Sequence, residues 1–319
     1  MFYRLIPSFA LLALSFSPAR AESAQSASAD DVSITADGKA VEVVFQKKTV
    51  LRYLLTKPTE ATDSKSISPS ACYFHPLTTP SGVVLTDVGP DDHPHHRGAF
   101  CAWLEVRDAA DAADFWGWGQ YAPLENRMIR NAAVESVSAT GDSATFTVKN
   151  DWLAGGTALV RENLRTTVTF RSGGRVLDLD WRFETATDVT LPRHAFSGFV
   201  VRTRKDAAIT AADPAGPVKL PPPSHLKPEN DWPSKPWYAL ELALKDGTKA
   251  GAAIVNHPGN PKTLWHIVTG IGMLNPCITA PGPVTVKAGE PLRLRYRVVT
   301  FDGAVPTELL NQVAAEWDK

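Results

Sequence analysis

The feature that most constrains this chain is a two-residue rhythm of apolar and polar side chains, repeated in segment after segment from Val32 to Thr300. Leu177, Leu179, Trp181 and Phe183 alternate with Asp178, Asp180 and Arg182, and Leu292, Leu294, Tyr296 and Val298 alternate with arginines. That period puts one face of a strand in a core and the other in water. Strands are expected likewise around Val41–Phe45, Val50–Leu54, Ala71–Leu77, Gly98–Val106, Ala133–Val137, Ala144–Val148, Ala158–Phe170, Val176–Phe183, Gly198–Arg202, Trp237–Leu242, Gly251–Val255 and Leu264–Val268. Short glycine-bearing links such as Thr140-Gly141-Asp142-Ser143 and Arg171-Ser172-Gly173-Gly174 join neighbours as hairpins. A helical stripe occurs once, in Leu309, Leu310, Val313 and Trp317 behind Pro306. The pattern predicts an all-β fold, a large antiparallel β-sandwich closed by one C-terminal helix.

The ends and the middle of the chain depart from this rhythm. Arg4, the apolar run Leu5–Phe16 and Ala19-Arg20-Ala21 have the form of a secretory signal peptide over residues 1–21. Residues 22–30 are small and polar and read as a flexible leader, with a single sandwich domain over 31–319. Within it, residues 213–236 hold eight prolines and fit neither strand nor helix. They are expected to form an excursion folded over the domain, placed to cover a site.

A formal net charge of −1, with no basic block, argues against nucleic acid as a partner. Past the signal segment no stretch has the roughly 18 apolar residues of a membrane span. Export to the periplasm or beyond permits disulfides. The three cysteines, Cys72, Cys101 and Cys277, lack C-x-x-C spacing and read as buried apolar side chains.

Chemistry concentrates in Pro90-Asp91-Asp92-His93-Pro94-His95-His96-Arg97-Gly98, where three of the eight histidines fall within four positions. Neutral imidazole is a base, imidazolium an acid, and both hydrogen-bond hydroxylated ligands. In an extended loop His93 and His95 share one side, as two corners of a metal site would, and His96 points the other way. A second cluster, Asn256-His257-Pro258-Gly259-Asn260-Pro261 with Trp265-His266, has the same style. The two loops are expected to meet. Glu162, between Arg161 and Asn163, is a candidate carboxylate or one half of a cross-strand ion pair. No G-x-S-x-G elbow, phosphate loop or H-E-x-x-H segment occurs.

Several of these strings together resemble a known family. They are Tyr73-Phe74-His75-Pro76-Leu77, Asp92-His93-Pro94-His95-His96-Arg97-Gly98, Asp114-Phe115-Trp116, His257-Pro258-Gly259-Asn260-Pro261, Trp265-His266, Asn275-Pro276 and Leu294-Arg295-Tyr296-Arg297. They resemble the PmoA-like, "methane oxygenase"-labelled family of secreted bacterial proteins, over about residues 71–300. The resemblance implies a galactose-mutarotase-like β-supersandwich and an association with carbohydrate catabolism.

Together these readings predict a periplasmic or secreted carbohydrate-active enzyme, a lyase, hydrolase or epimerase whose partner is a small sugar. His96 and His257 are the expected acid/base groups, with Glu162 as their carboxylate. His95, Arg97, Asn256, Trp265 and His266 are expected to hold the ligand. The alternatives are a metal-dependent oxidase or hydrolase with His93 and His95 as ligands, and a non-catalytic sugar-binding module.

Overall fold

A computed structural model describes residues 25–29, 31–58 and 66–318. The expected signal segment lies outside them. Two nine-stranded antiparallel sheets form the body. The first runs in the order Gln25–Ala29, Val32–Ala36, Ala40–Phe45, Lys48–Leu54, Tyr73–Leu77, Ala99–Ala102, Gly198–Arg202, Met273–Cys277 and Leu264–Val268. The second runs Gly216–Pro217, Ala207–Asp213, Trp237–Leu244, Lys249–Asn256, Leu292–Asp302, Gly174–Glu184, Thr157–Arg171, Ser143–Ala154 and Arg127–Thr140. A small four-stranded sheet (Val284–Val286, Val189–Leu191, Val106–Arg107, Ala112–Ala113) closes one end. The large antiparallel β-sandwich read from the alternation is the observed fold.

The inward positions of both sheets make one apolar cluster, with Trp103, Trp152, Trp181 and Tyr296 among its largest members. The helix Thr307–Ala315 packs Leu310 and Val313 on the opposite face of the second sheet, against Val176, Trp237, Val255 and Phe301. No described helix is long and apolar enough to cross a membrane.

Three local expectations need correction. Residues Gln25–Ala29, read as leader, pair antiparallel with Val32–Ala36, so backbone hydrogen bonding overrides their small polar side chains. The strand expected over 98–106 stops at Ala102. There the Trp103 carbonyl turns to accept the N–H groups of Phe115 and Trp116, and Leu104 N–H donates to Ser197 Oγ. The proline-rich stretch contains a two-residue strand, Gly216–Pro217, and a 3-10 turn, Pro228–Asn230. All three cysteines are buried and unpaired.

Glu162 is also placed unlike either expectation. Val160, Glu162, Leu164, Thr166 and Val168 all face inward, so the carboxylate sits inside the sandwich at 4 % exposure. Asn150 Nδ2 and Trp181 Nε1 donate to Oε1 at 2.9 and 3.1 Å, and Trp152 Nε1 donates to Oε2 at 2.7 Å. Burial pushes its pKa up to about 6 against the pull of those three donors. The group is a buried acceptor for core indoles and is walled off from any ligand. Glu162→Leu should therefore strand three buried donors and cost about 2–5 kcal/mol. Urea unfolding measures this, and an unchanged midpoint would contradict the role.

Candidate functional site

The histidine loop is stitched to the first sheet at its base. Gly89 N–H donates to the His96 carbonyl (2.9 Å), and Gly98 N–H donates to the Asp87 carbonyl (2.8 Å). Gly98 is at φ +62°, and a Cβ there would lie 2.3 Å from the Phe74 carbonyl oxygen. Only glycine lets the loop lie this close to its neighbouring strand. Between these ties the chain makes two consecutive turns, His93 N–H to Pro90 O and His96 N–H to His93 O, both 2.9 Å. The loop is thus coiled and not extended. His93, His95 and His96 all face one cavity as a result, with ring centroids 4.7–5.9 Å apart.

Two buried arginines hold this arrangement from behind. Arg97 donates to Ser68 Oγ (2.7 Å) and to the carbonyls of Phe115 and Trp116 (3.2 Å each), and lies 4.4 Å over the Phe100 ring. Burial pushes its pKa down to about 10, still well above neutrality. Arg202, fully buried, grips both oxygens of Asp92 at 3.0 and 3.1 Å and donates to the Ile271 carbonyl. Burial favours the neutral form of Asp92, but Lys205, Arg202 and His93 outweigh it and hold that carboxyl well below its ordinary range.

The cavity encloses about 290 Å³, at the small end for ligand pockets. His266 joins it from the strand Leu264–Val268. Its Nδ1 lies 2.8 Å from Asp231 Oδ1. Asp231 sits at the end of the Pro228–Asn230 turn, within the proline-rich excursion. Burial raises the Asp231 pKa, and its contact with His266 draws it back. Pro223 and His225 of the same excursion complete the lining together with Trp118, Phe196, Val268, Ile271 and Met273. Gly117, at φ +111°, makes room for His95, whose Cβ would stand 2.9 Å from any Cβ there.

The imidazoles of the loop are held neutral. Burial, then the neighbouring His93 and the charges of Arg97 and Arg202, bring the His95 pKa down to about 4. The same forces put His96 well below its ordinary value, and burial also lowers His93. His96 Nδ1 is buried without a partner. Among the described residues no group of three or more His, Cys, Asp or Glu side chains has the arrangement to hold a metal ion.

Of the residues expected at the site, His95, His96 and His266 come together, joined by His93. The rest do not reach the cavity. Arg97 is buried, with the terminal nitrogens of its guanidinium on Ser68, Phe115 and Trp116, none of it lining the cavity. Trp265 precedes His266 on a strand, so its ring points the opposite way, fully buried against Tyr238 at 5.1 Å. His257 packs against Trp317 at 4.5 Å and accepts the Gly259 N–H at Nδ1 (2.8 Å). Burial and then Arg295, Arg293 and Arg297 bring its pKa down to about 4. Asn256 accepts from Asn260 at 2.9 Å and lines a separate open groove beside the C-terminal helix. The two histidine loops therefore do not meet, because the strand Lys249–Asn256 delivers its end to the helix side of the second sheet. Asp231 is the residue that sequence reasoning missed. Its signal was the excursion itself, since eight prolines in one segment indicate a path held in place for a purpose.

No curated protein matches the chain. Among solved structures it is similar to the GH36 alpha-galactosidase AgaA from Geobacillus stearothermophilus, at 11 % identity and a TM-score of 0.39. That match covers 88 % of this chain and 41 % of the galactosidase, so the chain spans under half its length. It is similar also to the Slr1438 protein from Synechocystis sp. PCC 6803, at 11 % identity and TM-score 0.39, covering 92 % of this chain and all of that one. A glycoside hydrolase family 97 enzyme from Pseudoalteromonas sp. strain K8, in complex with acarbose, matches at 8 % identity and TM-score 0.38, covering 86 % and 34 %. The PmoA-like resemblance is overturned, because the family model that matches is a different one. Over residues 40–315 the chain belongs to DUF6807, a family of unknown function.

Proposed function

We propose that this protein is a carbohydrate-active enzyme that moves a proton in the histidine-lined cavity, with His266 as the base. The observation that carries this reading is the 2.8 Å contact between Asp231 and His266 Nδ1. A carboxylate accepting the Nδ1–H fixes the tautomer and leaves the Nε2 lone pair for the cavity. His95, His96 and His93 then stand as neutral hydrogen-bonding groups for the hydroxyls of a ligand. None of the residues lining the cavity is a carboxylate. Glycoside hydrolysis by a carboxylate pair thus has less support than an epimerase or lyase reaction. The form of residues 1–21 supports an exported enzyme, acting in the periplasm or outside the cell.

The test is to incubate the full chain in deuterated buffer with neutral aldoses, uronates and glycosides. Proton NMR then follows epimer formation, elimination and enzyme-dependent loss of C–H signals. His266→Gln and Asp231→Asn should each lower kcat by about a hundredfold or more, with smaller changes in KM. Wild-type rates in both variants would sink the assignment. Saturable sugar binding with no product after long incubation would favour the non-catalytic binding module instead.

The lowered histidines also predict how stability follows pH. Between about pH 6.5 and 4 the unfolded chain takes up a proton that folded His95 refuses, and the lowered His93 and His96 act in the same direction. Stability therefore falls as pH drops through that window, by about 1.4 kcal/mol per pH unit for each proton fully withheld. Glu162 acts in the opposite direction. Its raised pKa of about 6 contributes stability that is present below about pH 4.5 and lost as pH rises through 6. The histidines outnumber it, so thermal midpoints should fall from pH 7 to 5, and His95→Asn should flatten the slope. A midpoint rising on acidification would contradict the neutral cluster.

A further inference from the structure

The lining of the cavity is sorted by chemistry. Its hydrogen-bonding groups come from the histidine loop and His266. Val268 follows His266 by two residues, so it lies on the same face of the strand, and it pairs with Met273 across the sheet. Ile271, from the turn between those strands, completes an apolar corner. Two residues of strand place that corner about 7 Å along from the base, roughly the length of a pyranose ring with its exocyclic carbon.

That corner offers a hydroxyl nothing. The Ile271 carbonyl is taken by Arg202. Val268 N–H and C=O belong to a strand paired with Met273. A 6-hydroxyl placed there would lose its water without gaining a partner, whereas a methyl group would be buried favourably. No lining residue is a lysine or arginine. Arg97 and Arg202 are buried behind the loop, with terminal nitrogens on Ser68, Phe115 and Trp116 and on Asp92 and Ile271 respectively, and the buried carboxyl of Asp231 stands directly behind His266. A uronate or sugar phosphate would bring an anion to a site with no free cation.

We propose that the ligand of this cavity is an uncharged 6-deoxyhexose, its methyl group seated against Val268, Ile271 and Met273 and its ring hydroxyls on the imidazoles. The inference rests on the reading of the cavity as a sugar site and adds the class of sugar.

Isothermal titration calorimetry on the full chain tests it with matched pairs: D-fucose and D-galactose, L-fucose and L-galactose, L-rhamnose and L-mannose, with D-galacturonate alongside. At least one deoxy sugar should bind about 10–100-fold tighter than its 6-hydroxy twin, and the uronate should be the weakest ligand. Val268→Thr keeps the shape and β-branching of the strand residue and should bring the ratio for that pair towards one. Ile271→Thr, in the turn, provides the same reading should the first variant fail to fold. Equal affinities within every pair, preference for the uronate, or a ratio unmoved by both substitutions would overturn the deoxy assignment while leaving the sugar site standing. If no sugar in the panel binds or turns over, the sugar reading itself falls.

Discussion

The site depends on one buried cation. Arg202 ends an inner strand of the first sheet, has no exposure to solvent, and spends its guanidinium on Asp92 of the histidine loop and on the Ile271 carbonyl of the opposite wall. A buried charge with only one partner is costly, so both walls are held against it together. The loop keeps its two turns and the corner beyond His266 keeps its shape because each binds a terminal nitrogen of the same guanidinium. Arg97 repeats the device on the aromatic side, where it fastens the Phe115 and Trp116 carbonyls beneath the loop.

This arrangement also sets the electrostatics of the cavity. Histidines crowded within 6 Å of one another, above two fixed positive charges and largely out of water, are pushed toward their uncharged form. His266 differs because Asp231 stands behind it. One wall therefore holds imidazoles that resist protonation, and the other holds an imidazole hydrogen-bonded at Nδ1 to a carboxyl group.

The fold was legible because it follows from local rules. Alternation in Leu177–Phe183 and Leu292–Val298 marked strands and their inward faces, and the stripe around Leu310 and Val313 marked the one helix. The site was legible only in part. His95, His96 and His266 carry titratable groups in unusual density, which any reader of the sequence can see. Which loops meet is decided by strand order across two sheets, and nothing local encodes that the end of Lys249–Asn256 is delivered to the helix side. The side on which a residue falls can be read once the strand is known, so the inward placement of Trp265 and Glu162 follows from parity. That a carboxylate would be tolerated there depends on three donors from two other strands. Asp231 was hidden because proline-rich segments have no periodicity from which to infer contacts.

The excursion from 213 to 236 has a meaning that reaches past its geometry. His266 and the loop histidines come from the first sheet and a connection between two of its strands, but the carboxyl beside His266 arrives on the excursion, one residue before Trp232, which is buried in the sandwich core. Core packing and the contact between Asp231 and His266 are therefore fastened by adjacent residues, since Trp232 and Trp265 exchange both backbone hydrogen bonds. A rewriting of that stretch that moved Asp231 would also disturb a buried indole and its pairing with the strand that carries His266. On the proposed reading, a chain that kept the sandwich but lost the acid beside His266 would keep the shape of the cavity and lose its base.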